Sequence, residues 1–138
     1  MAGPTLGLVA VNVYVYVSDP GVDIRFDGLD AAWTLRRRLH IPVAQLVAAR
    51  VARTDVARRE LGWRLGGTYL PGVIAAGRYT FRPSRDGERQ LWCVYRDPEV
   101  LVIDTSAPVV TRVVLQHPDR HDLAWWIGER VAAQDADS

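Results

Sequence analysis

Apolar and polar residues alternate along the first part of the chain. Leu6 to Val17 ends in valines spaced two residues apart, and Val22 to Phe26 repeats the alternation with Asp23 and Arg25 at the polar positions. A period of two places successive side chains on opposite faces of a strand. The pattern therefore predicts two short strands that are separated by a turn at Pro20-Gly21.

Short apolar runs separated by glycine and proline continue from Trp63 to Gln116. Gly66-Gly67 and Pro71-Gly72 interrupt the first run, and Gly77 within a strand pattern indicates a bulge or a close approach of another backbone. Pro83 to Glu88 predicts a hairpin loop, because it contains an Asp-Gly pair near its tip. The strands predicted around and after this loop are Arg78–Arg82, Arg89–Arg96, Val100–Asp104 and Val109–Gln116.

The apolar period changes to that of a helix near the end of the chain. Asp119 lies where a helix N-cap is expected, and Asp122 adds a negative charge in the first turn. The sequence therefore predicts one amphipathic C-terminal helix. The positions i, i+3, i+4 and i+8 of its apolar stripe are Leu123, Trp126, Ile127 and Val131.

The segment from Leu29 to Leu61 fits more than one secondary structure. Leu29 to Leu39 is compatible with a brief helix or with a strand. Leu46 to Arg53 has the alanine content of a helix, but a proline at the start of a single turn followed by β-branched residues favours a strand. We therefore expect a strand there and a solvated loop from Thr54 to Gly62. A long helix from Pro42 to Leu61 would instead give a different α+β arrangement.

The composition limits the classes of function. A chain of 138 residues, of which 49% are hydrophobic and 24% charged, is expected to fold as one domain. All seventeen basic residues are arginine, which is typical of a GC-rich bacterial coding sequence, and the net charge of +1 argues against a nucleic-acid partner. Cys93 has no second cysteine with which to form a disulfide and lies in an apolar run, so we expect a buried, reduced thiol.

The apolar N-terminal stretch does not have the features of a membrane span or a leader peptide. Leu6 to Val17 is apolar over about a dozen residues, whereas a membrane-spanning helix needs about 20. It also lacks the basic start and the small-residue cleavage site of a signal peptide. We therefore expect a cytoplasmic location, with the inner face of the membrane as the alternative.

The predicted element order is about seven strands followed by a single C-terminal helix. This order is that of a mainly β fold in which a helix caps a bent antiparallel barrel. The chain from about Val22 onward resembles bacterial pleckstrin-homology-like domains. The residues that carry the resemblance are Ile41-Pro42 before Gln45-Leu46, Arg64 with Gly67 to Gly72 and Ala76-Gly77, Leu91 to Val94, Leu101 to Ile103, and Val113 to Gln116 before Asp119.

The resemblance implies a domain organisation and a type of function. The pleckstrin-homology-like domain is expected at residues 21–134, after an N-terminal strand segment at residues 1–20 that packs on it and before a polar tail at residues 135–138. Such domains are commonly non-catalytic platforms, some oligomeric and some associated with a membrane. We therefore expect no enzyme and no cofactor.

Five arginines form a candidate site for an anionic lipid headgroup or a phosphate. Arg36, Arg37 and Arg38 are consecutive, and Arg58 and Arg59 follow later in the chain. Each basic residue close to an anionic membrane surface contributes about 1 kcal/mol of binding. The alternative is a solvated, arginine-rich face that binds no ligand.

Other polar groups give weaker indications of chemistry. The sequence contains no grouping of nucleophile, base and orienting acid and no phosphate-cradling glycine loop. His117, Asp119, His121 and Asp122 lie together before the last helix, but helix capping accounts for them better than a metal, since no third ligand is indicated. A small-ligand carrier or an enzyme is the least favoured interpretation, and its pocket would lie among Tyr69, Tyr79, Trp92 and Arg64.

The five tryptophans provide the preferred functional hypothesis. Trp63 and Trp92 are expected in the core or beside strands, whereas Trp125 lies off the helical stripe and either packs over a barrel rim or is exposed. An exposed tryptophan suits a protein contact, because tryptophan is enriched at binding hot spots. We therefore expect a non-catalytic interaction module that contacts a protein partner, or a second copy of itself, through Trp125 and strand edges. Binding to an anionic membrane surface is the alternative.

Overall fold

The computed structural model describes residues 13–26, 38–70, 74–95, 97–108 and 110–137. In this part of the chain there are nine strands, two helices, α1 (Thr54–Arg58) and α2 (Arg120–Asp137), and one 3₁₀ turn at Val43–Gln45. A mainly β fold with one long C-terminal helix is therefore confirmed. The strands are β1 (Val13–Val17), β2 (Gly21–Phe26), β3 (Arg38–Pro42), β4 (Leu46–Arg53), β5 (Leu61–Leu70), β6 (Ile74–Phe81), β7 (Arg89–Tyr95), β8 (Glu99–Thr105) and β9 (Val110–Leu115).

The first three strands form a small antiparallel sheet in the order β1-β2-β3. The predicted alternation is confirmed in β2, where Val22, Ile24 and Phe26 are buried. The strands β1 and β2 form a hairpin, so the expected domain boundary at residue 20 lies within its turn. Gly21 is required in that turn, because a Cβ atom there would lie 2.1 Å from the carbonyl oxygen of Ile41 on β3.

The other six strands form a large sheet in the order β4-β8-β9-β7-β6-β5. All neighbours are antiparallel except β7 and β9, which run parallel. The strands β7 and β9 can run in the same direction because β8, which lies between them in the sequence, runs in the opposite direction. Within the described residues β4 and β5 remain the outer strands, so the strands do not close into the antiparallel barrel that we expected.

The central strands of the large sheet, β7, β8 and β9, are buried on both faces, which accounts for the continuous apolar run of β7. Leu91 and Cys93 contribute to a core that the large sheet shares with the small sheet and with α2. Trp92 and Val94 point to the opposite face, where Ala57 of α1 packs in a second apolar cluster. Strands that are buried on both faces lose the simple polar and apolar alternation. The expected burial of Cys93 is confirmed.

The C-terminal helix α2 packs on β4 and β8. Leu123 and Ile127 are buried and Val131 is partly buried, as predicted, but Trp126 is 54% exposed. At 100° per residue, Trp126 lies about 100° around the helix from the centre of the Leu123–Val131 row. The assignment of Trp126 to the inner stripe is therefore wrong. The helix also continues through the expected polar tail, to Asp137.

The structure resolves the ambiguous middle of the chain in favour of a strand. The 3₁₀ turn follows Pro42 and leads into β4, so the alternative of a long helix from Pro42 to Leu61 is wrong. The expected loop from Thr54 to Gly62 is also wrong, because it contains α1 and the start of β5. The helix α1 is fixed where the backbone N–H of Thr54 donates a hydrogen bond to the Pro98 carbonyl oxygen, 2.8 Å away. A single turn of helix is too short to produce a recognisable period.

None of the helices in the described part of the chain is long and apolar enough to cross a membrane.

One buried side chain, Gln90 of β7, connects β6, β7 and the turn before β5. Its amide nitrogen donates to the backbone oxygens of Glu60, at 2.7 Å, and Thr80, at 3.1 Å. Its amide oxygen accepts a hydrogen bond of 2.9 Å from the indole nitrogen of Trp92. The amide nitrogen and the amide oxygen of Gln90 therefore both form hydrogen bonds inside the protein, where an unsatisfied donor is costly.

We predict that Gln90→Leu lowers the free energy of unfolding by about 2 kcal/mol or more, because the indole N–H of Trp92 loses its acceptor inside the core. Urea unfolding measures this change. The matched control is Gln134→Leu on α2, since the side-chain oxygen of Gln134 is buried without a hydrogen-bond partner in the described residues. The control should leave the stability unchanged or slightly raised; equal losses in the two variants would contradict the prediction.

Candidate functional site

The structure does not bring the five predicted anion-binding arginines together as one described group. Arg36 and Arg37 lie outside the described residues. Arg38 is exposed at the start of β3 and pairs with Arg25 in the small sheet. Arg58 ends α1 and Arg59 follows it, between two strands of the large sheet. The described members of the predicted set therefore lie on different elements: Arg38 is on β3 of the small sheet, and Arg58 and Arg59 lie in the connection between β4 and β5.

Arg58 instead lines a cleft of about 640 Å³ beside β5 and β6, which we call the arginine cleft. Arg64 of β5 and Arg82, just after β6, contribute two further guanidinium groups. Both are exposed, and neither forms an ion pair with any described residue. Among the described residues that line the cleft, none is acidic. The lining residues are Arg58, Leu61, Gly62, Trp63, Arg64, Tyr79 and Arg82.

Two bulges in β5 create the outer wall of this cleft. Opposite β6, the register shifts between Leu61 and Arg64 and again between Arg64 and Gly66. The extra residues interrupt the alternation of side chains, so that Trp63, Arg64 and Leu65 are all exposed. Bulges are a common way to redirect a side chain beside a functional site. Trp63, which we expected in the core or beside strands, is 82% exposed.

The hydroxyl group of Thr80 holds the first bulge in place. It accepts a hydrogen bond of 2.7 Å from the backbone N–H of Trp63. Gly62 precedes this bond, and a Cβ atom at Gly62 would lie 2.3 Å from the same hydroxyl oxygen. The bulge therefore depends on a residue without a side chain at position 62 and on a hydroxyl group at position 80.

The arginine cleft contains two of the four residues that the sequence suggested for a small-ligand pocket. These two residues are Arg64 and Tyr79. Trp92 is fully buried behind Tyr79, with the two rings edge to face at 6.4 Å between their centroids. The side chain of Tyr69 lies outside what the structure describes. Trp92 therefore supports the wall of the cleft and does not line it.

A network of paired charges lies next to the cleft, around the ring of Phe81. The buried guanidinium of Arg112 is 2.7 Å from the carboxylate of Asp104 and 3.1 Å from that of Glu60. Burial acts to lower the pKa of Arg112, but its hydrogen bonds and charge interactions with Asp104 and Glu60 outweigh this effect and raise the pKa. Arg85 contacts Glu60 at 3.6 Å and lies 4.2 Å from the centre of the Phe81 ring. These arginines are compensated by acids, whereas Arg64 and Arg82 of the cleft have no acidic partner in the described residues.

The predicted interface residue Trp125 lies in a second concave surface, which we call the tryptophan groove. Trp125 is 63% exposed and lies beside Trp126 on α2. The groove has a volume of about 340 Å³. Its lining residues are Val17, Trp125, Trp126, Glu129 and Arg130.

Arg130 fixes the tryptophan groove to the β1–β2 hairpin. Its guanidinium donates a hydrogen bond of 3.3 Å to the carbonyl oxygen of Ser18 and lies 3.4 Å from the carboxylate of Asp19. Because Val17 precedes this turn, the contact holds the valine beside the two tryptophans. The groove is thus assembled from the two ends of the described chain.

The histidine cluster before α2 takes part in local hydrogen bonds. The Nδ1 atom of His117 accepts a hydrogen bond of 3.0 Å from the backbone N–H of Asp119, and Asp122 lies in the first helical turn as predicted. His121 is 3.5 Å from Glu99. Among the described residues, no three potential ligands lie close enough together to hold a metal ion. Burial lowers the pKa of His117, and the nearby Asp119 carboxylate opposes this shift only in part.

Comparison of the chain with models of known protein families, with curated proteins and with solved structures finds no match. The residues of the arginine cleft and the tryptophan groove therefore carry the functional assignment. Sequence reasoning missed Arg82 and the exposure of Trp63 and Trp126. The pair Gly62-Trp63 ahead of Gly66-Gly67 was the available sign of a bulged strand, since glycine within a strand often marks a bulge.

We predict that Gly62→Ala lowers the free energy of unfolding by about 1–3 kcal/mol, because the new methyl group collides with Thr80 and forces the bulge to shift. The matched control is Gly128→Ala on α2, where a Cβ atom meets nothing within 4 Å. That substitution should raise the stability by about 0.5–1 kcal/mol through the better helix propensity of alanine. Urea unfolding compares the two variants, and a Gly62→Ala protein as stable as the original would show that the bulge tolerates a side chain.

We predict that His117 makes the protein less stable as the pH falls below about 6.5, the usual pKa of histidine. Because the pKa of His117 is lowered in the folded chain, the unfolded chain binds the proton first, so acid favours unfolding. The loss of stability caused by His117 is complete once the pH is also below the lowered pKa of the folded chain. In His117→Asn the amide oxygen can replace the acceptor without titrating, and unfolding measured between neutral and acidic pH should show a smaller loss.

The control for this pH profile is His121→Asn, which leaves His117 in place and should lose stability in acid as the original protein does. If His117→Asn follows the same profile as well, His117 is not the responsible group.

Proposed function

We propose that this protein is a non-catalytic interaction module that binds a protein partner through the tryptophan groove. The observation that carries the proposal is the pair of neighbouring tryptophans on α2, Trp125 and Trp126, whose side chains are 63% and 54% exposed. Large aromatic side chains that remain exposed together are typical of a surface that another protein covers. Trp125 is the residue that the sequence singled out for this role.

The groove is held in a fixed shape before any partner binds. Leu123 and Ile127 anchor α2 in the core, and Arg130 ties the same helix to the turn after β1. A surface whose backbone is already ordered loses less conformational entropy on binding. The tryptophan side chains are therefore presented on a rigid base.

The lining of the groove is mainly apolar and includes one acid without a basic partner. Arg130 is compensated by Asp19, and Glu129 has no basic partner in the described residues, so that Val17 and the two indole rings form the main apolar contact surface. We expect the partner to insert an apolar or aromatic side chain between these rings. A second copy of this chain is included among such partners, because Tyr14 and Tyr16 are exposed on it.

The proposal keeps the non-catalytic role implied by the resemblance to pleckstrin-homology-like domains. The helix that follows the last strand supports this resemblance, whereas the parallel pair β7–β9 and the separate small sheet count against it. The alternative, binding to an anionic membrane surface, has less support, because Arg38 lies in the small sheet, whereas Arg58 and Arg59 lie between β4 and β5 of the large sheet. The proposal therefore rests on the groove and not on the resemblance.

We predict that the double variant Trp125→Ser/Trp126→Ser weakens association about 30-fold or more, because removing a hot-spot side chain costs about 2 kcal/mol or more of binding. Sedimentation across a concentration series measures self-association. Affinity capture with the purified protein as bait, followed by titration of the captured protein, measures a different partner. The matched control is Trp63→Ser, which removes an exposed tryptophan outside the groove.

The proposal requires that an oligomer or a complex formed by the original protein is lost in the double variant and kept in the control. Two results contradict it: association that is equal in all three proteins, and an original protein that is monomeric at every concentration and retains no partner. Urea unfolding of both variants checks that they are folded.

A further inference from the structure

We infer that the arginine cleft is a second binding site, and that its ligand is a small phosphorylated molecule with a planar ring, the chemical class of a nucleotide. The site shares no residue with the tryptophan groove, and the inference goes beyond the proposed function. Its volume of about 640 Å³ is in the range of pockets that enclose small molecules, about 300–1,000 Å³.

The first argument is the charge of the cleft. Arg58, Arg64 and Arg82 come from α1, from β5 and from the end of β6, so that three separate elements bring positive charge to one concavity. A concave surface lined by charges of one sign attracts ligands of the opposite sign. Arginine binds phosphate oxygens in a bidentate manner, which makes it the preferred residue for phosphate groups. Arg64 and Arg82 have no acidic partner in the described residues, so these two guanidinium groups indicate a ligand with more than one negative charge.

The second argument is that nearby acids are used elsewhere. Glu60, two residues after Arg58, directs its carboxylate to Arg112 and Arg85. Asp104 contacts Arg50 and Arg112. The fold thus pairs these arginines with acids, while Arg64 and Arg82 have no acidic partner in the described residues. A phosphorylated ligand would supply the missing negative charge.

The third argument is the position of Trp63. The two bulges of β5 turn this indole out of the sheet, and its backbone N–H is fixed by Thr80. An exposed indole face at a cleft is a stacking surface for a nucleobase, and such stacking contributes about 1–3 kcal/mol per base. The buried side chains of Leu61 and Tyr79 form the inner wall. Phosphate and planar ring therefore each find a matching group within one cleft.

A concave site favours a small molecule over a membrane surface as the source of the phosphate. A cleft surrounds its ligand on several sides, whereas lipid headgroups in a bilayer present an extended surface. Arg58 is the single member of the predicted lipid-binding set that lines the cleft. The inference concerns binding, and it assigns no reaction to the site.

The test is calorimetric titration of the full chain with ATP, GTP and UTP at low and high salt. Inorganic triphosphate, which lacks the planar ring, and adenosine, which lacks the phosphates, are titrated separately. We expect at least one nucleotide to bind, and its affinity to fall with salt because exposed charges are screened. Arg64→Gln/Arg82→Gln should weaken binding about tenfold or more, since each lost bond joined two charged groups. Trp63→Ala should weaken binding of the nucleotide but not of triphosphate.

The matched control is Arg25→Gln/Arg38→Gln, which removes the same charge from two exposed residues that lie opposite each other on β2 and β3. This control should bind nucleotide as the original protein does. The inference is overturned if no nucleotide binds at low salt, if both double variants lose binding equally, or if Trp63→Ala affects nucleotide and triphosphate alike. Binding to phosphatidylserine vesicles that needs Arg64 and Arg82, without nucleotide binding, would overturn it in favour of a membrane surface. None of these variants alters the tryptophan groove, so this inference and the proposed function fail independently.

Discussion

The parallel pairing of β7 with β9 is the interaction on which the rest of the large sheet depends. Within the described strands it joins two antiparallel halves, β4-β8-β9 on one side and β7-β6-β5 on the other. Leu91 lies beside Val113 on one face of the sheet, and Trp92 lies beside Val114 on the other. Both faces are buried there, so the pair is stabilised by two apolar clusters at the same time. Beyond the last pair, the backbone N–H of Gln116 donates to the Cys93 carbonyl oxygen, 3.0 Å away.

This central pair also anchors the strand that forms the arginine cleft. Gln90 of β7 and Arg112 of β9 are neighbours in register. Gln90 binds the backbone oxygen of Glu60, and Arg112 binds its carboxylate. Glu60 is thereby held from two directions immediately before β5 begins. The bulges at Trp63 and Leu65 follow a fixed starting point, which allows an irregular strand to present its side chains in a defined arrangement.

The sequence predicts those parts of the fold that depend on local periodicity or on turn residues. The strands β2, β8 and β9, the hairpin loop between β6 and β7, and the C-terminal helix have such signals. The pairing of strands is a different matter, because the apolar runs of β7 and β9 look the same in the sequence whether the neighbouring strands are parallel or antiparallel. The helix α1 is a single turn, which is too short to show a period. The exposure of the Trp126 side chain depends on how α2 is rotated against β4 and β8. These features are set by tertiary contacts between distant segments.

The candidate sites also combine features that the local sequence predicts with features that tertiary contacts determine. Trp125 could be selected because it lies off a helical stripe, which is a local property. The sequence places Arg64 and Tyr79 in one hypothetical pocket but Arg58 in a separate anion-binding site, because nothing in the order of residues shows that α1 converges with β5 and β6. Trp63 could not be placed on the surface, because its exposure results from two extra residues in the register of β5. A bulge changes the direction of side chains without changing the hydrophobic pattern that precedes it.

The bond between Arg130 and Ser18 joins residues that are 112 positions apart in the chain. The tryptophan groove is for this reason a discontinuous epitope: two of its walls come from one end of the described chain and one from the other. A peptide that reproduces α2 alone carries both indole rings but has neither Val17 nor the turn that orients Arg130. Whatever recognises the groove recognises the folded state, and the surface is lost when the hairpin detaches, even if the helix itself remains intact.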